Sequence, residues 1–303
     1  MTETSPAALL RQLAQIVLDK EPQIRLVLTA LIAGGHVLLE DLPGLGKTTL
    51  ALGLARSLNL AFARLQMTAD TLPGDILGGS FYDPAQQAFV FRRGPIFHSL
   101  LLIDEINRAP PRAQSALMEA MAEGQVSLEG ASHPLPNPFF VIATQNPQEF
   151  DGVFPLPENQ LDRFLLSLSL GYPSRMAEER LLQGAALAPE AVPILATEAT
   201  LLDWQRSARQ VFLSPEIRAM LLDLAEYSRR ESSLRFGVSP RGLLALQAAL
   251  RGWAFLQQRD FVAPEDLPAV APAVLGHRLR WRDPGEPRVQ LAGLLKQCLG
   301  LGG

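Results

Sequence analysis

Asp41-Leu42-Pro43-Gly44-Leu45-Gly46-Lys47-Thr48 lies between the apolar run His36-Val37-Leu38-Leu39-Glu40 and the helix-forming stretch Thr49-Leu50-Ala51-Leu52-Gly53-Leu54-Ala55-Arg56. Strand, glycine-bearing loop ending in Gly-Lys-Thr, then helix is the arrangement in which a phosphate-binding loop works. Loop and helix N-terminal amides point inward there, and the helix dipole favours an anion. Lys47 can reach the phosphates as a point charge, and Thr48 can place its hydroxyl on a magnesium ion. Side chains at Gly44 and Gly46 would hold the backbone away from the phosphates. The candidate cradle therefore comprises Asp41, Leu42, Pro43, Gly44, Leu45, Gly46, Lys47, Thr48 and Thr49. One position departs from the pattern, which asks for glycine where the chain has Asp41. Aspartate tolerates left-handed backbone better than most residues, so the turn stays possible.

Two further stretches put chemistry at strand ends. Ser99-Leu100-Leu101-Leu102-Ile103 is a continuous apolar run of strand length, as a strand buried on both faces requires, and it ends in Asp104-Glu105. Phe139-Phe140-Val141-Ile142-Ala143-Thr144 is another, ending in Gln145-Asn146. Ligands of open α/β sheets bind outside the carboxyl ends of the strands, where these polar residues fall. One carboxylate of the pair can serve a metal while the other faces a water.

The chain has 303 residues, 48% hydrophobic and 19% charged, which suits an ordered globular protein with a substantial core. A net charge of -4 supplies no global basic field and argues against a nucleic-acid partner. The single cysteine, Cys298, excludes an intramolecular disulfide and a Cys-rich zinc site. His36, His98, His133 and His277 are scattered, none at the spacing of a helical metal site. Met1 to Lys20 lacks the features of a secretory signal, and no apolar stretch is long enough to span a bilayer. The expected protein is cytoplasmic, without membrane insertion.

Amphipathic periods predict helices over Pro6–Lys20 and from Pro22 to the Gly34-Gly35 stop. Further strands are expected at Ala61–Met67 and Leu165–Leu170, a helix at Pro110–Glu123, and hairpins at Ser80–Phe91 and Gln125–Leu135. Strands alternating with helices predict a parallel sheet covered on both faces. After Pro173 helical patterns dominate, over Pro215–Arg230, Pro240–Gln257 and Pro264–Leu275. Gly242 and Gly252 weaken the expected continuity of the second. The expected division is an α/β domain over 1–172 and a smaller helical one over 173–303.

Five blocks in order carry a resemblance: Leu42–Thr48, Leu102-Ile103-Asp104-Glu105-Ile106-Asn107-Arg108-Ala109-Pro110-Pro111, Ile142–Pro147, Pro155–Phe164 and Ser239-Pro240-Arg241-Gly242. From about Gly35 to Arg288 the chain resembles the AAA+ ATPase superfamily, and within it the MoxR family. The resemblance implies an α/β P-loop fold, a parallel five-stranded αβα sandwich followed by a small all-helical lid. It also implies a helix-2 insertion near 74–95 and a hairpin before sensor 1 near 124–136. ATP and Mg2+ are the implied cofactors, with Thr48 and Asp104 at the metal and Glu105 polarising the attacking water. Asn146 resembles sensor 1, Arg241 the sensor 2 arginine that reports the nucleotide to the lid, and Arg163 an arginine finger serving a neighbouring subunit. Gln66 could restrain Glu105.

The implied activity is ATP hydrolysis by a ring, a hexamer, that remodels, matures or chaperones a protein partner. A von Willebrand factor A domain protein is the partner type that the resemblance suggests. The short stretch before the first strand predicts no separate recruiting domain. Rival readings are a nucleic-acid translocase using Arg278, Arg280 and Arg282, a metal-chelatase-type motor of the same clade, and a nucleotide-dependent switch with negligible turnover.

Overall fold

Ser5 caps the first helix, its hydroxyl accepting the Ala8 N–H at 3.1 Å, and Pro6 stands where a missing N–H costs nothing. In the computed structural model, residues 4–128, 130–146 and 152–282 are described, with 291, 293 and 295 beyond them. Glu129, Pro147, Arg288 and Cys298 lie outside the described residues.

Helices α1 (Pro6–Ile16) and α2 (Glu21–Ala33) precede strand β1 (His36–Glu40), the phosphate loop and α3 (Lys47–Ser57). After β2 (Phe62–Gln66) comes a short helix, α4 (Pro73–Leu77), and the antiparallel hairpin β3 (Gly78–Asp83) and β4 (Ala88–Arg93). Strand β5 (Leu100–Asp104) leads to α5 (Pro111–Glu123) and a second hairpin, β6 (Gln125–Leu128) with β7 (Ala131–Pro134). Strand β8 (Phe140–Gln145), α6 (Glu158–Leu161) and β9 (Phe164–Leu168) complete the α/β part.

The main sheet has five strands in the order β2-β5-β8-β1-β9, all parallel. Successive side chains alternate between its faces, and both faces are dry. Val37, Leu39, Leu100, Leu102, Phe140, Ile142, Leu166 and Leu168 join one buried cluster with α1, α2 and α3. Leu38, Leu101, Ile103, Val141 and Ala143 join another with α4 and α5. This is why the inner strands read as continuous apolar runs rather than alternating ones.

Past β9 the chain forms α7 (Arg175–Leu182), α8 (Glu198–Gln210), α9 (Pro215–Arg230), α10 (Pro240–Leu256) and α11 (Asp266–Leu275). Hydroxyls of Ser174, Thr197, Ser214 and Ser239 cap the first four. The lid is not wholly helical: β10 (Leu234–Phe236) pairs antiparallel with β11 (Arg280–Trp281). Segments of three and two residues carry no periodic signal, so the sequence could not announce them.

Helix α10 runs unbroken through Gly242 and Gly252, and the second glycine has a packing reason. A Cβ at Gly252 would lie 2.8 Å from the Thr29 carbonyl oxygen, on the face where α10 crosses α2. Replacing it by valine should force the two helices apart at a cost of about 1–3 kcal/mol. The urea midpoint of Gly252→Val should fall accordingly, and an unchanged midpoint would refute this packing account.

The two hairpins meet through Phe91, which stacks on His133 with ring centroids 4.1 Å apart. Tyr82 packs edge-on to Phe89, yet Phe81, Tyr82 and Phe89 remain exposed at the hairpin surface. Phe91 is half-buried and packs outside its own hairpin, on Phe97 and His133.

Candidate functional site

The loop after β1 takes left-handed backbone at Gly44 (φ 85°) and Gly46 (φ 90°), the conformation in which glycine is uniquely free of strain. Asp41 is not among the left-handed residues, so the expected reason for tolerating aspartate there does not apply. Its carboxylate is buried and accepts from Ser169 Oγ at 2.5 Å and from the Leu170 and Gly171 amides at 2.6 and 3.1 Å.

Lys47 folds back over the loop and donates to the carbonyls of Asp41 (2.8 Å) and Leu42 (3.2 Å). Burial lowers its pKa, against the opposing pull of Asp41, Asp104 and Glu105. A partly buried ammonium resting on neutral carbonyls is poised for a stronger anionic partner.

Asp104 ends β5 and is largely buried; its Oδ2 accepts from Arg64 Nε at 2.7 Å, and its Oδ1 from the Thr144 hydroxyl at 3.3 Å. Glu105 is itself left-handed (φ 56°), a sparsely populated state for a residue with a side chain. Its amide donates to Thr144 Oγ1 at 3.0 Å. Its carboxylate is held by Gln66 Nε2 at 2.9 Å and by Arg108 Nε at 2.7 Å. The expected link between Gln66 and Glu105 is thus present as a direct hydrogen bond.

Asp41, Pro43, Gly44, Gly46, Lys47, Thr48, Thr49, Asp104, Glu105 and Asn146 all line one cavity of ≈ 300 Å³. Leu42 contributes its carbonyl to Lys47, while Leu45 faces an adjoining cavity of ≈ 250 Å³ walled by Val17, Leu18, Lys20, Pro173 and Leu187. The two cavities share Gly44, Gly46 and Thr49. The first is edged by carboxylates, a lysine and an arginine; the second is walled mainly by apolar side chains. Thr48 and Asp104 place oxygen donors on the first cavity of the kind that a hard divalent cation takes.

Arg163 and Arg241 lie elsewhere. They line a separate groove with Gly35, His36, Asp162, Leu244 and Arg278, near the amino ends of β1 and β9. The phosphate loop is at the carboxyl end of β1. Arg241, expected as a sensor 2 arginine, thus lies in this groove and not in the phosphate-loop cavity, and its guanidinium pairs with Asp162 at 3.2 Å. Asp162 is also gripped by the buried Arg278 at 2.7 Å. Arg163, exposed, forms no ion pair among the described residues.

Sequence reasoning passed over Arg64, Thr144 and the walls of the second cavity. Arg64 and Gln66 stand two apart on β2, so they share a face, and polar residues at alternate positions of that strand were the available signal. Val17, Leu18 and Lys20 read only as the end of an amphipathic helix.

The family model described as ATPase family associated with various cellular activities (AAA) matches residues 36–166, and the AAA lid domain model matches 226–296. The chain is 43% identical to the uncharacterized protein YeaC of Bacillus subtilis (strain 168) over 270 residues, 88% of this chain and 83% of that one. Chaperone MoxR1 of Mycobacterium tuberculosis is 38% identical over 277 residues, 88% of this chain and 74% of the relative. A crystal structure from Cytophaga hutchinsonii, provisionally described as an ATPase, superimposes with a TM-score of 0.84 at 32% identity, covering 96% of this chain and 92% of that one.

Proposed function

The chain belongs to the MoxR family of AAA+ ATPases, and from that premise we propose that it binds and hydrolyses ATP at subunit interfaces of a ring to remodel, mature or chaperone a protein partner. The observation that carries this reading is the pair of cavities joined at Gly44, Gly46 and Thr49, one anion-seeking and one apolar. The apolar cavity takes the base, and Lys47 exchanges its loop carbonyls for phosphate oxygens. Thr48 and Asp104 hold magnesium, which when bound neutralises phosphate charge. Glu105 accepts a proton from the attacking water, and its strained backbone aims the carboxylate into the cavity. Gln66 and Arg108 hold that carboxylate in place, and Asn146 fixes the water.

Arg163 and Arg241 serve the nucleotide of an adjacent subunit. Their position at the opposite end of the strands from the phosphate loop supports this reading. Asp162, held by Arg278 and Arg241, orients the Arg163 backbone. A six-membered ring is the assembly we propose, with a von Willebrand factor A domain protein as the type of partner.

Of the arginines that favour a nucleic-acid translocase, Arg278 is committed internally, which weighs against that rival. Arg278 is buried against Asp162 and the Phe164 and Leu165 carbonyls. Arg280 pairs with Glu158, and Arg282 donates to the Leu234 carbonyl. No helix among the described residues is long and apolar enough to cross a membrane.

A site shared between subunits makes activity depend on assembly. Specific ATPase activity, measured as phosphate release with magnesium, should rise severalfold as the protein is concentrated through its assembly range. Absence of turnover at every concentration would overturn the reading. A specific activity independent of concentration, with the protein monomeric by sedimentation, would overturn the shared site.

A further inference from the structure

We infer that Asp41 is the positioning residue through which occupancy of the phosphate loop is felt at the link between the sheet and the lid. The inference rests on the nucleotide-site reading above. It starts from an anomaly: glycine is the pattern residue at this position, and the backbone here needs no special conformation. The side chain must therefore be explained by what it touches.

It touches the link. Residues 169–174 join β9 to α7, and Asp41 accepts from three donors in the first half, the Ser169 hydroxyl and the Leu170 and Gly171 amides. Hydrogen bonds to an ionised acceptor are roughly twice as strong as neutral ones, so this is a firm tether. Gly171 is left-handed (φ 67°), so the chain bends where the tether ends. The second half is held from the other cavity. Lys20 Nζ donates to the Tyr172 carbonyl at 2.7 Å, and Asp19 Oδ2 accepts the Ser174 amide at 2.8 Å. Lys20 and Pro173 both line the apolar cavity. Both halves of the link are thus bonded to segments that wall the nucleotide cavities.

Asp41 also touches the phosphate machinery through its backbone. Its carbonyl accepts Lys47 Nζ at 2.8 Å, and its amide donates to the carbonyl of Gln145, the neighbour of Asn146, at 3.1 Å. A phosphate that draws Lys47 away removes a bond from the same residue whose carboxylate holds the link. The carbonyl that Lys47 holds and the carboxylate that holds the link sit on one residue, joined through its Cα. Phosphate binding then shifts the bend at Gly171 and with it the start of α7. Coupling of this kind is reciprocal, so restraint of the lid also changes nucleotide affinity.

The test is hydrogen exchange on the native full chain and on Asp41→Asn, Asp41→Gly and Ser169→Ala, with ADP as the ligand. Each protein is compared without ADP and at ADP saturation set by its own titration, so differences in affinity drop out. In the native protein, ADP should slow exchange about tenfold both in α3 and across 169–182, within the usual range of coupling strengths. Asp41→Asn and Asp41→Gly should keep the protection in α3 but reduce that at 169–182 to less than about threefold. Ser169→Ala should fall between. If Asp41→Gly does not fold, the near-isosteric Asp41→Asn carries the comparison.

Full protection of 169–182 in Asp41→Asn would overturn the relay and leave the carboxylate as a static brace. So would native protection confined to α3. A folded Asp41→Asn that no longer binds ADP would place the carboxylate in the cradle itself and equally overturn the relay. Failure of the native protein to bind ADP at all would instead sink the nucleotide-site reading.

Discussion

Glu105→Gln should bind ATP and release almost no phosphate. Removing a positioned general base costs about 10²–10⁴ in rate. The substitution preserves shape, and the amide oxygen can still accept from Gln66, which sits 2.9 Å from the native carboxylate. Strain at residue 105 and the bond from its amide to Thr144 belong to the backbone and survive the change. Glu105 is one of three carboxylates whose charge bears on Lys47, beside Asp41 and Asp104. Neutralising one lessens repulsion of an incoming triphosphate, so ATP affinity should hold or improve. Equilibrium binding and single-turnover phosphate release on the same preparation separate the two effects. Hydrolysis at the native rate would show that Glu105 is not the base. The variant, loaded with ATP, is also the bait with which to capture the partner.

The second large effect is at Arg163. An arginine finger is worth about 10³–10⁵ in turnover where it has been measured in phosphoryl-transfer enzymes. Arg163 is exposed, and the partners of its neighbour Asp162 are Arg241 and Arg278, so truncation removes no ion pair seen here. Arg163→Ala should therefore keep its thermal stability and its ATP affinity while losing turnover. Its position away from its own phosphate cavity supplies the more telling experiment. Lys47→Ala subunits should also be inactive, because their own cavity lacks the lysine. Mixed rings place an intact Arg163 beside an intact Lys47 at some interfaces, and part of the activity should return. No recovery in mixtures shown to co-assemble would mean that Arg163 does not act across an interface.

Much of this site was legible because its chemistry is local in sequence. Lys47 and Thr48 follow a loop whose glycines sit at the two left-handed positions, Gly44 and Gly46, and Asp104-Glu105 directly follow an apolar strand. Strand ends at one edge of a parallel sheet must converge, so Asn146 could be placed with them before any coordinates. Arg64 was not legible in this way. Its role as the partner of Asp104 depends on β2 lying beside β5 with Gln66 opposite Asp104, a pairing between strands far apart in the chain. The apolar cavity escaped for the same reason, since Val17 and Leu45 meet Pro173 and Leu187 only after the chain has folded back.

Arg241 shows a different limit. Its motif was recognisable, but a motif does not say which cavity its side chain enters. The packing of α11 beside β9 and the burial of Arg278 on Asp162 put the start of α10 at the far end of the strands. That placement is a property of how the lid docks, and no stretch of residues near Arg241 encodes it.

By itself the sequence determined the kind of protein: the strand, loop and helix around Lys47, the buried carboxylate-ended strand and the order of blocks admit one fold, the α/β AAA+ domain with its lid. Periodicity and backbone preference act over a few residues, and those signals survive in a linear string. Only the tertiary structure decided what the Asp41 carboxylate touches, which residue holds Asp104, and that Arg163 and Arg241 share a groove away from the phosphate loop. Each of those depends on contacts between segments tens to more than a hundred residues apart, set by sheet order and lid docking. Local physics leaves them open, and the packed core closes them.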